Sequence, residues 1–166
     1  MKRTALYILA LTLAVIGAAP ARAQAPTTMD EFKAVVLDSI QTGQALAVVE
    51  SNIVDVTIRW DHFLKRVEAH QTNRCYFEPG HPEQCAAYDQ EARNLQTEGQ
   101  NLITEHDGYV AQRGFLTTHF GVNMARLRLA EFFGTFGPWV ERVKNCSFQQ
   151  WEVATKCLID AWEEHP

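Results

Sequence analysis

The chain has 166 residues, 15 of them basic and 20 acidic, with a formal charge of -5 and a 46% hydrophobic share. That apolar share excludes a disordered chain. The acidic balance disfavours nucleic-acid binding and adsorption to anionic lipid, because both surfaces repel negative charge.

Residues 1–23 have the three parts of an export leader: basic Lys2 and Arg3, an apolar run from Ala5 to Ala19, and the small-x-small site Ala21-Arg22-Ala23 before Gln24. The run is shorter than the roughly 20 residues of a bilayer span, so cleavage after Ala23 is expected. That cleavage removes three basic residues and no acid, which moves the charge from -5 to -8. No cysteine precedes Cys75, so a lipid anchor at the cleavage site is not expected, nor is any stable membrane anchor. Residues 24–166 are read as a single disulfide-bonded helical domain in the periplasm or outside the cell.

Thr28 precedes Glu31 by three positions, the spacing of a capping box that opens a first helix. Its apolar stripe is Phe32, Val36, Ile40, Val49, Ile53, Val56, Trp60, Phe63 and Val67, interrupted at Gly43, where a break or kink is expected. The segment from Thr72 to Gln84 contains Pro79, Gly80 and Pro82 and reads as a turn or loop. A second long helix is expected near Pro82, with Tyr88, Ala92, Leu95, Gly99, Leu102, His106 and Tyr109 on its inner face.

From Gly114 to Trp139 the composition shifts to phenylalanine and glycine. A loop is expected there, then a third helix from about Asn123 to Phe133, with Pro138 opening the next one. Ser147 and Gln150 form a second capping-box spacing before the stripe Phe148, Trp151, Thr155, Leu158 and Trp162.

Cys75, Cys85, Cys146 and Cys157 are even in number, and in an exported chain they predict two disulfides. Their spacings lack the close pairs of a zinc site. A continuous helix through Cys146 and Cys157 holds their α-carbons roughly 16 Å apart, beyond the reach of about 7 Å for a bridge. Crossing bridges to Cys75 and Cys85 are therefore expected. Two local bridges are the alternative, and they require the chain between Asn145 and Trp151 to double back.

Chemistry is thinly marked. Glu78 and His81 have E-x-x-H spacing, but Pro79-Gly80 between them forbids the helix that pattern needs. His62 beside Asp61, and His106 between Glu105 and Asp107, are weak ligand candidates: His106 reads better as a satisfied core or boundary histidine and His62 as an exposed one. Ser39, Ser51 and Ser147 lack a nucleophile elbow, and no phosphate-binding or dinucleotide fingerprint occurs. No catalytic residue, metal or cofactor is assigned.

The expected fold is all-α: two long antiparallel helices with two or three shorter ones, stapled by two disulfides. The expected function is an exported, non-catalytic protein that binds a protein partner, such as a secretion-system accessory subunit, inhibitor or immunity-type protein. Its contact candidates are Phe132, Phe133, Phe136 and Trp139, since glycine-flanked aromatics often anchor interfaces. A periplasmic carrier of a small apolar ligand or metal is the alternative, and an enzyme without a recognisable motif ranks third.

Overall fold

A computed structural model describes residues 24–72, 82–131 and 136–164. Among these the only regular structure is helical, in the order α1 (Met29–Thr72), α2 (Pro82–Leu129), α3 (Gly137–Cys146) and α4 (Trp151–Glu164). The all-α expectation, with two long helices and two shorter ones, is met. The export leader, Cys75, Phe132 and Phe133 lie outside the described residues.

The capping box forms at the start of α1. Glu31 N–H donates to Thr28 Oγ1 at 3.2 Å, and the Glu31 carboxylate accepts from the backbone N–H groups of Thr27 and Thr28. The Thr27 backbone bond, followed by its hydroxyl, holds the Glu31 carboxyl below its ordinary range. From there α1 runs without interruption for 44 residues, roughly 66 Å at the α-helical rise.

The break expected at Gly43 is absent. Gly43 instead serves packing, because a β-carbon there would lie 2.6 Å from Thr155 Cγ2. The missing side chain lets α1 and α4 approach closely.

The loop expected after Gly114 is also absent, since α2 continues for 48 residues to Leu129 and absorbs the helix expected from Asn123. Gly108, Gly114 and Gly121 have open space where a β-carbon would point. Each weakens the helix by about 1 kcal/mol relative to alanine, which cooperative propagation and packing on α1 outweigh. Contacts at Glu50–Arg113, Arg59–Glu105 and Arg66–Glu98 show that α2 returns antiparallel along α1.

The crossing disulfides are overturned. Cys146 bonds Cys157, with α-carbons 5.5 Å apart. Cys85 is also disulfide-bonded, to a partner outside the described residues, so one bridge of the expected two is described in full. The reason is the turn between α3 and α4. Ser147 caps the C-terminus of α3, its N–H donating to the carbonyls of Lys144 and Val143. The N–H groups of Phe148 and Gln149 donate three residues back, to Asn145 O and Cys146 O, and α4 begins only at Trp151. The two cysteines therefore face each other across a helical hairpin instead of sitting three turns apart on one helix.

The molecule divides into a head and a stalk. In the head, Phe32, Val36 and Leu46 of α1, Phe120, Met124 and Leu127 of α2, Trp139 and Val143 of α3, and Leu158 and Ala161 of α4 share one core. Trp139 is its centrepiece, meeting Phe32 edge-on and donating its indole N–H to Ala161 O at 2.8 Å. Buried Asn123 donates to Asp38 Oδ2, as His119 does when its Nε2 carries the proton. No buried side-chain polar atom among the described residues lacks a partner. The stalk is the rest of the α1–α2 hairpin, with a thin seam of Val56, Phe63, Leu95 and Leu102.

Candidate functional site

The site emerges when the two regions are compared in a seven-residue register, the spacing that keeps side chains on one seam of paired helices. Along α1, Val35, Thr42, Val49, Val56 and Phe63 recur every seven residues and are buried throughout. The neighbouring stripe is Phe32, Ser39, Leu46, Ile53, Trp60 and Val67. Its first three members are fully buried in the head, and its last three are only partly covered.

The corresponding side of α2 behaves alike. Met124 is buried, whereas Val110 and Ile103, fourteen and twenty-one residues earlier in the same register, are 43% and 49% exposed. The stalk thus carries apolar side chains at positions that the head seals with additional helices.

Helix geometry places Ile53, Trp60 and Leu64 of α1 and Ile103, His106 and Val110 of α2 on one flank of the stalk. A groove of about 330 Å³ runs there, lined by Val56, Thr57, Trp60, Leu102, Ile103, His106 and Asp107. Leu64, at 48% exposure, extends the apolar surface toward the hairpin tip.

The opposite flank is polar. Arg59 contacts Glu105 at 2.7 Å, Arg66 contacts Glu98, and His70 stands 3.2 Å from Glu91. The hydrogen bond from Arg59 is the largest cause holding the Glu105 carboxyl below its usual range. That flank latches the hairpin electrostatically, and the apolar flank is left open.

His62 and His106 do not converge. His62 borders the polar groove with Arg59 and Arg66, and His106 lines the apolar one. Among the described residues no group of three or more His, Cys, Asp or Glu side chains is placed to hold a metal ion.

The aromatic candidates separate as well. Phe136 is 47% exposed, with Lys33 Nζ 5.9 Å from its ring centroid, whereas Trp139 is 3% exposed and belongs to the head core. The exposed Phe148 beneath Arg128 is another surface aromatic of the head. Sequence reading placed Trp60 on the inner stripe but missed the open flank beside it. The signal was present in the run of Ile53, Trp60, Leu64 and Val67, which is too wide for a single helix to cover.

Fold and flank together define a class: an all-helical protein whose described bridge fastens the head and whose long hairpin is apolar on one side. No helix among the described residues is long and apolar enough to cross a membrane. No family model, curated protein or solved structure matches the chain.

Proposed function

We propose that this is an exported, non-catalytic helical protein that works by binding protein, with the apolar flank of the stalk as its contact surface. One observation carries this reading: Ile53, Trp60, Val67, Ile103 and Val110 are apolar at register positions whose head equivalents are buried. Apolar side chains retained in register but left open mark an interaction surface, because solvent exposure alone gives no reason to keep them. The groove opens along its length, so a small apolar molecule there would remain half in water. That geometry favours a helical protein surface over a carried ligand. Export is supported by the leader pattern of residues 1–23 and by the disulfide between Cys146 and Cys157.

The test is site-specific photocrosslinking in the producing cell. A benzophenone side chain at Leu64 or Ile103 should form covalent protein adducts, and the same group at Asn101 on the polar flank should not. Absence of adducts from every flank position would overturn the reading. Export is checked separately by N-terminal sequencing, which should begin at Gln24.

A further inference from the structure

We propose that the occupant of the open flank is the same flank of a second copy of this chain, running antiparallel, so that two stalks close a four-helix bundle. This rests on reading the flank as a protein-binding surface and assigns its partner.

The first argument is continuity with the interface inside the head. Thr155 of α4 lies on Gly43, and Ala161 lies beside Trp139, which packs on Phe32. Helix α4 therefore runs antiparallel to α1, and its first residue, Trp151, stands near the level of Ala47. From there to Thr72, 25 residues of α1 or roughly 37 Å, no further helix among the described residues covers the flank.

The second argument is self-complementarity. The midpoint of that run falls at Trp60, with Ile53 seven residues before it and Val67 seven after. A two-fold axis at Trp60 sets Ile53 of one copy opposite Val67 of the other, and Trp60 with Ile103 near the axis. The same operation brings the Thr72 end of each α1 level with the N-terminal end of the other copy's α4, which fixes the register.

Size agrees. Two helices side by side at about 10 Å spacing present a strip roughly 20 Å wide. Over roughly 37 Å that strip covers about 700 Å² per copy, close to the ~800 Å² per partner of a stable interface.

Charge permits the pairing. The stalk, taken as residues 48–72 and 85–113, holds nine acidic and five basic side chains, but opposite charges meet within each copy. Arg59–Glu105, Arg66–Glu98 and His70–Glu91 lie on the far flank. Around the apolar flank, Asp61 meets Lys65, Glu50 meets Arg113, and Asp107 is 3.4 Å from His106.

Sedimentation equilibrium on the oxidised chain as secreted, from about 1 to about 100 µM, decides the matter. The expected result is twice the single-chain mass at the upper end. Leu64→Glu or Ile103→Glu should weaken association about 100-fold by burying a charge, with far-UV helicity retained because both residues are half exposed. Benzophenone at residue 53 should capture a peptide containing Val67 of the other copy. Single-chain mass throughout, or a dimer indifferent to both glutamates, would overturn the proposal. A single chain whose Leu64 and Ile103 still crosslink to a different protein overturns self-pairing and leaves the proposed function standing. A dimer with the expected adducts and no other protein captured sustains self-pairing and makes the second copy the bound protein.

Discussion

Head and stalk are built on the same two helices, yet they meet water differently. In the head, α3 and α4 cover the stripe that includes Leu46 and Met124, and Phe32, Val36, Leu46 and Leu127 are fully buried. In the stalk, among the described residues, the same helices have only each other, and the stripe of Ile53, Trp60 and Val67 remains partly open. A pair of helices can bury one seam between them, and a wider apolar face requires another layer. The width of an apolar face, more than its hydrophobicity, therefore marks where a helical hairpin expects company.

The comparison can be broken most sharply at Trp139. Replacement by alanine should destabilise the head by about 3 to 5 kcal/mol, the range for deleting a buried aromatic, and it leaves Ala161 O without the indole donor. Denaturant titration should show this as a lower midpoint. A loss under about 1 kcal/mol would mean that the head core is not organised around that ring.

The next largest effect is expected from removing the Cys146–Cys157 bridge with a pair of serines. That bridge closes a short loop, so the loss should be about 2 to 3 kcal/mol. Because it ties α3 to α4, hydrogen exchange should rise first in those helices and leave stalk amides near Leu102 little changed. Uniform acceleration across both regions would show that head and stalk unfold as one unit.

In the stalk, Trp60→Ala should cost about 1 to 2 kcal/mol, less than Trp139→Ala, because the indole is only partly buried in a single chain. The measurement belongs at low protein concentration, where association does not contribute. Equal losses for the two tryptophans would erase the distinction between the regions.

The smallest effect is the pH dependence of the polar latch. The Glu105 carboxyl is lowered by the hydrogen bond from Arg59, the pair that joins α1 to α2. A carboxylate with a depressed folded value contributes stability that is fully present above its ordinary range and is lost as pH falls through the folded value. Acidification should therefore loosen the stalk, and Glu105→Gln should remove part of that pH slope. An unchanged slope in the variant would show that the Arg59 contact does not support the hairpin.

Much of this architecture is legible in the chain. Phe32, Val36, Val56 and Phe63 announce α1, the Thr28–Glu31 box marks its start, and Pro82 and Pro138 fall at the first turns of α2 and α3. Ser147 misled because its capping-box spacing is also compatible with closing α3, and a local pattern cannot say on which side the helix lies. Gly114 misled because a helix tolerates glycine when a long partner supports it. The flank was half visible: Trp60 and Ile53 stood out as apolar, but as core residues.

The helical class, the two long amphipathic helices and the prolines that open α2 and α3 are legible before any packing is known, because they depend on spacing and backbone chemistry within a few residues. Only helix packing settles that α2 runs unbroken past Gly114, that Cys146 pairs with Cys157, and that Trp139 is sealed while Trp60 is only partly buried. Each of those outcomes depends on which helix lies beside another, and α4 reaches along α1 only as far as about Ala47.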